Sequence, residues 1–444
     1  MSTADVPARE SPNPSLPPAS PGDSPGSPPA VPPVDPQPPA AGSSKKNEEI
    51  RSVAQLFFQL AGQREEQVAM RHRHREKQEW VDISWEEYAR QVEQLAAALI
   101  ALGIEPGDRV AILSNSRPEW AMSDLAIFAA AAVTTPIYQS NLPDEVQYIL
   151  ENSGSKIVFV EDREQLGKVL EVRGQLPALR HAVLYDGKVK NPGFILGYEE
   201  LSEQGKLALQ GDAQLVRRRT AVVDRCSQAT FVYTSGTTGP PKGVVLTHEN
   251  LLFEMAALEQ TVSVDERDET LLFLPMAHIF ARVGYLLSTK LGCTVAYAES
   301  IDRLLDNLVE IRPTFMFSVP RIYEKIYNKV VSGVQRGNRL TRQIFAFAIA
   351  IGRLVSKRRQ QGRWIPPHLA VSFLVAEMLV FNKLKRRFGG KVRFFISGGA
   401  PLSREIAEFF HAAGLLVLEG YGLTETTAAS HVNKLDAYRF GTVG

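Results

Sequence analysis

A chain of 444 residues, 44% hydrophobic and 22% charged, is too long for one ordinary domain and has the apolar content for large buried cores. Its 50 Lys and Arg against 49 Asp and Glu leave a net charge of +1, so no global field recruits nucleic acid or an anionic membrane, and an anionic ligand has to be held by local geometry. Two cysteines, Cys226 and Cys293, exclude a disulfide framework and a Cys-rich metal site and point to a reducing, cytoplasmic setting.

Residues 1–45 hold 14 of the 28 prolines among Ser, Gly and Ala and no large aromatic residue, the composition of a disordered Pro-rich tail. No cationic start followed by an apolar run marks a secretory signal. Order is expected over 46–444. Ser84 and Glu87 have capping-box spacing, and Tyr88, Val92, Leu95, Ala96 and Leu99 recur at helical intervals up to Gly103, so this stretch reads as an amphipathic helix. Short β-rich runs then alternate with helical or loop lengths: 109–113, 156–160, 181–185, 230–234, 294–298, 314–318, 392–397 and 415–419. That alternation predicts an α/β protein of parallel sheets with helical crossovers, two packed α/β subdomains plus a small β-rich piece. The apolar stretches 344–352 and 369–381 fall short of the roughly 20 residues a spanning helix needs. Basic runs at 353–363 and 383–387 flank the second stretch. Solvated helix faces are the simpler reading, and peripheral contact at the inner face of a membrane stays open.

The densest chemistry lies at 233–243, where a β run enters Thr234, Ser235, Gly236, Thr237, Thr238 and Gly239, followed by two prolines and Lys242. Small residues let N–H groups and hydroxyls close around phosphate oxygens, and a lysine supplies compensating charge. The glycine spacing and the glycine after Lys242 separate it from a Walker loop.

This element resembles the phosphate loop of the adenylate-forming (AMP-binding) superfamily. Further segments agree in order. The run 274–282 around His278 and the run 319–325 resemble long-chain acyl-CoA synthetases (fatty acid CoA ligases), as does the stretch from Asn115 to Tyr138. Gly398, Gly399, Ala400 and Pro401 resemble the adenine-side loop, and Gly420, Tyr421, Gly422, Leu423, Thr424 and Glu425 the second nucleotide signature. The resemblance covers about residues 50–444 and implies the large amino-terminal core of that fold. It implies ATP-dependent activation of a long-chain fatty acid through an acyl adenylate to acyl-CoA, with ATP, Mg²⁺ and CoA as cofactors and cosubstrate. Thr234, Lys242, His278, Thr424 and Glu425 would be catalytic.

The residues support these assignments separately. Paired glycines after a strand let backbone approach a flat base, Tyr421 between two glycines offers a ring for stacking, and Glu425 is a hard oxygen ligand suited to Mg²⁺. An imidazole such as His278 can orient a carboxylate by a hydrogen bond. The family continues past the second signature into an acidic ribose-binding motif, a hinge and a lid carrying a lysine, whereas this sequence stops at Gly444. The expectation is therefore a core with the lid absent and turnover impaired. A fatty acyl-AMP ligase, another carboxylate-adenylating enzyme and a non-catalytic nucleotide-binding fragment are the alternatives, and the oligomeric state is not readable.

Overall fold

A computed structural model describes residues 50–444 except 75–76, 188–192 and 235–238. The Pro-rich tail and the loop residues Ser235, Gly236, Thr237 and Thr238 lie outside the described residues.

The helix expected after Ser84 spans Trp85–Ala101, and the Ser84 hydroxyl accepts the Glu87 N–H at 3.1 Å. Only half of the capping box forms, because the Glu87 carboxylate turns outward to Arg90 and Gln91. Trp85, Tyr88, Val92, Leu95 and Leu99 are buried, and Gly103 takes the left-handed conformation (φ 82°) that lets the chain turn into the strand Arg109–Leu113.

Two mainly parallel sheets organise the molecule. One has seven strands in the order Ile195–Gly197, His181–Leu184, Ile157–Val160, Arg109–Leu113, Val133–Ile137, Gln228–Thr234, Lys242–Thr247. The other has eight, in the order His431–Val432, Leu416–Tyr421, Phe394–Ser397, Phe315–Ser318, Glu269–Leu272, Thr294–Tyr297, Val68–Arg73, Trp80–Ser84. Antiparallel pairing is confined to the edges, at Val68–Arg73 with Trp80–Ser84, Gln228–Thr234 with Lys242–Thr247, and Leu416–Tyr421 with His431–Val432. Central strands such as Val133–Ile137 and Phe394–Ser397 are buried throughout, as strands covered on both faces by helices must be.

A buried ionic knot joins the two halves. Asp124 on the helix Pro118–Ala129 accepts from Arg282 Nε at 3.0 Å and from Thr134 Oγ1 at 2.7 Å, and Tyr285 also donates to it. Arg282 and Asp124 are fully buried, and the guanidinium also lies over the Trp120 and Phe128 rings.

The apolar run near residue 370 departs from expectation. Pro367–Ala376, a π turn at Glu377–Phe381 and Asn382–Arg387 form one continuous 21-residue helix, which by length and composition is enough to cross a membrane. The sequence estimate stopped at Phe381. The helix carries on through the basic residues because the π turn absorbs the register change without breaking it. Leu369, Ala376, Phe381 and Leu384 are buried against the protein, with the long helix Arg339–Gln360 alongside.

Candidate active site

Three parallel strands set the floor. Ser318, Ser397 and Glu419 stand in register near the carboxyl ends of their strands, so the segments after each leave the sheet at one edge, where open α/β sheets hold ligands. Gly398 starts one of these segments, and its N–H donates to the Ser318 carbonyl at 3.2 Å. A Cβ there would stand 3.2 Å from the Phe280 ring.

Thr234, Lys242, His278, Gly398, Gly399, Gly420, Tyr421, Gly422, Thr424 and Glu425 line one cavity of about 510 Å³. Thr234 and Lys242 face each other across the antiparallel pair Gln228–Thr234 and Lys242–Thr247, at the base of the hairpin that holds the glycine-rich loop. Ile279, Phe280, Val283, Phe317 and Ile396 give the cavity an apolar wall. Gly239 is exposed with φ 96° and is not among the lining residues. Ala400 and Pro401 are exposed beyond Gly399 and do not line the cavity either.

His278 caps the helix Ile279–Leu291, its Nδ1 accepting the Phe280 N–H at 3.1 Å. That bond assigns the ring proton to Nε2, and desolvation lowers the imidazole pKa, so His278 is neutral at pH 7 and keeps one N–H to donate.

The signature loop is held tightly. A Cβ on Gly422 would fall 1.2 Å from the Ala428 carbonyl oxygen, so only glycine fits there. Thr427 (φ 62°) and Ala428 (φ 92°) are consecutive non-glycine residues in the left-handed region, a strained arrangement that surrounding structure has to enforce. One support is Glu254, buried on the helix His248–Glu259, whose Oε1 accepts the Ala429 N–H at 2.9 Å. Desolvation outweighs that hydrogen bond and raises the Glu254 carboxyl to about 7. Tyr421 is 51% exposed, leaving a ring face available beside the cavity.

Sequence reasoning did not single out Glu254, Arg282 or Asp124. Their partners lie 175 and 158 residues away; Arg282 and Asp124 fall inside the family-like stretches 274–282 and 115–138, but nothing in either stretch points to the other. Among the described residues no group of three or more His, Cys, Asp or Glu could hold a metal by itself. A larger cavity of about 960 Å³ contains none of the predicted residues, and its ion pairs, Arg117 with Glu119 and Asp186 at 2.6 Å each, are internally matched.

A mainly parallel α/β core with glycine-bearing segments leaving the carboxyl ends of its strands has its ligand site at that sheet edge. The chain belongs to the AMP-binding enzyme family, whose pattern it matches over residues 57–444. It is 35% identical over 368 residues to the long-chain-fatty-acid–CoA ligase FadD15 of Mycobacterium bovis, covering 82% of this chain and 59% of that one. It is 33% identical over 345 residues to the peroxisomal long chain acyl-CoA synthetase 6 of Arabidopsis thaliana, covering 75% and 46%. The chain thus spans about half to six-tenths of the length of these relatives. In fold it is similar to the anthranilate CoA ligase AuaEII in complex with anthranoyl-AMP, with a TM-score of 0.65, 18% identity, and coverage of 88% of this chain and 64% of that one. It is similarly related to the long-chain-fatty-acid-CoA ligase FadD1 of Archaeoglobus fulgidus, with a TM-score of 0.64, 17% identity, and coverage of 86% and 66%.

Proposed function

We propose that this chain activates a long-chain fatty acid by adenylation with ATP and passes the acyl group to CoA. The single observation that carries the reading is the convergence of Thr234, Lys242, His278, Tyr421, Thr424 and Glu425, from three separate stretches of sequence, on one cavity with an apolar wall. The names of the curated relatives supply the substrate class.

A carboxylate is a poor electrophile until one oxygen becomes part of a leaving group. In the proposed reaction a carboxylate oxygen attacks the α-phosphorus of ATP and pyrophosphate leaves. The CoA sulfur, having lost its proton, then attacks the acyl carbonyl and AMP leaves. Lys242 and Thr234 face the departing phosphates from the hairpin base, and Thr424 donates to the α-phosphate. Tyr421 stacks on the adenine beside the backbone of Gly398 and Gly399. Neutral His278 donates its Nε2–H to the fatty carboxylate and so orients it without forming an ion pair that would quench its nucleophilicity. The apolar wall takes the first part of the acyl chain.

Glu425 suits Mg²⁺, which takes one or two carboxylates together with substrate phosphates. Bound there, the ion would offset phosphate charge that otherwise repels the carboxylate. The same proposal takes 46–444 as the catalytic core, 1–45 as a separate tail and the cytoplasm as the setting, in keeping with two unpaired cysteines, one of them exposed.

The test is a series of fatty acids of increasing length with ATP and Mg²⁺, followed by pyrophosphate release and acyl-CoA formation. A preference for long chains, with release dependent on fatty acid, is expected. Release only with short or aromatic acids, or acyl adenylate that never transfers to CoA, contradicts the substrate or the acceptor.

A further inference from the structure

Nine of the nineteen large hydrophobic side chains that stand exposed among the described residues fall between Leu340 and Leu379. They form stripes. On the helix that begins at Pro367, Val371, Leu374, Val375, Met378 and Leu379 recur at the three- and four-residue spacing of one helix face, and all five are more than 40% exposed. The opposite face is occupied, since Leu369, Ala376, Phe381 and Leu384 are buried.

Charge is as unevenly placed. Residues 339–387 contain eleven Lys or Arg and a single acidic residue, Glu377, in a chain whose net charge is +1. Glu377 is matched by Lys385 at 2.5 Å. The helix that carries the stripe begins at Pro367, shortly after Arg363 and Trp364, the latter 72% exposed, and runs on past the stripe to exposed Lys383, Arg386 and Arg387. Beside it, a groove of about 380 Å³ is lined by apolar side chains such as Val330, Ile344 and Phe345 together with Lys329, Lys383 and Arg387, with no acidic residue.

We propose that the exposed face of the helical segment 339–387 docks on the surface of a bilayer containing anionic lipid, lying in the headgroup plane. An apolar stripe with cations at both ends complements an acyl layer beneath anionic headgroups, whereas a protein partner would have to supply a matching acidic rim around an apolar ridge. The helix lies in the plane because its other face is already committed to the protein: crossing would strip Leu369, Phe381 and Leu384 from their contacts and carry Lys383–Arg387 into hydrocarbon. None of these residues lines the cavity that holds Tyr421 and Glu425, so the docking proposal and the ligase reading stand or fall separately.

The test is sedimentation of the full chain with vesicles of phosphatidylcholine, and of phosphatidylcholine with roughly one-third phosphatidylserine. Binding to the mixed vesicles, weakened by salt and weaker on phosphatidylcholine alone, is expected, with a blue shift of Trp364 emission that disappears in Trp364→Phe. Reversing three exposed charges, Lys383→Glu, Arg386→Glu and Arg387→Glu, should lower partitioning at least about a hundredfold, because each basic residue contributes about a factor of five at such a surface. Leu374→Asp with Met378→Asp should abolish the emission shift, and unchanged circular dichroism and melting would show both variants folded. Equal binding by the charge-reversed protein overturns the proposal, as does no binding by the wild type. A self-association seen by sedimentation velocity and removed by the Leu374 and Met378 changes, without lipid binding, would assign the face to a second copy instead.

Discussion

Gly422 shows how little freedom one position in the signature loop has. Its missing Cβ makes room for the Ala428 carbonyl, and the strained pair Thr427 and Ala428 follows from the same tight return of the chain. Gly422→Ala has to push that carbonyl aside, a local overpacking of about 1–3 kcal/mol, while the core beneath is untouched. The expected outcome is a folded protein with a small drop in melting temperature and a large loss of affinity for ATP, measured by calorimetry. Native affinity in Gly422→Ala would show that the loop does not shape the nucleotide pocket. His278 makes a related point about sequence reading. Its place in an apolar run is ambiguous in sequence. The structure shows a ring nitrogen capping a helix, which fixes both the tautomer and its direction.

At the scale of elements, the signature loop is held by a contact that the sequence hides. Glu254 on the helix His248–Glu259 holds the Ala429 N–H, and burial keeps its carboxyl protonated well above the ordinary range, to about 7. Between about pH 4.5 and 7 the unfolded chain has released a proton that the folded chain retains. Stability therefore falls as pH rises through this window, by up to about 1.4 kcal/mol per unit. Glu254→Gln keeps an acceptor for Ala429 and removes the titration. Its melting temperature should vary less than the wild type's between about pH 5 and 7 and exceed it at about pH 8. Parallel curves for the two proteins would contradict the assignment.

Arg282 and Asp124 act on larger pieces, tying the helix Ile279–Leu291 to Pro118–Ala129 and to the strands carrying Thr134 and Thr230. Arg282→Met leaves Asp124 buried without its partner and should cost roughly 3–5 kcal/mol. Replacing Asp124 with Leu as well should recover much of that in thermal unfolding. Equal destabilisation by the double variant would mean that packing around Arg282, not the charge pair, is what matters.

Local signals explain what the sequence disclosed of these elements. All eight β-rich runs expected from the pattern are strands in the structure, within a few residues. Two of the seven strands outside those runs break the usual cues: Val133–Ile137 contains Pro136, and Val68–Arg73 is rich in basic residues although Arg71 is paired with Asp82 and Glu269. The glycine loops were legible because each is contiguous. The support that Glu254 gives was not, because its contact with Ala429 joins residues 175 positions apart.

At the scale of the whole molecule, charge is unevenly divided. The cavity at the sheet edge gathers a few polar groups over an apolar wall, while most of the unbalanced cation density sits on the helical segment 339–387, which shares no residue with it. A near-neutral total charge conceals this division. The central claim is that the cavity between Lys242, His278, Tyr421 and Glu425 is where acyl adenylate forms. The most direct measurement is calorimetric titration of residues 1–444 with a nonhydrolysable fatty acyl adenylate mimic, beside Tyr421→Ala. Stacking a ring on a base contributes about 1–3 kcal/mol, so saturable one-to-one binding weakened at least about fivefold in Tyr421→Ala is expected. No binding to the wild type, or equal affinity in the folded variant, would contradict the account.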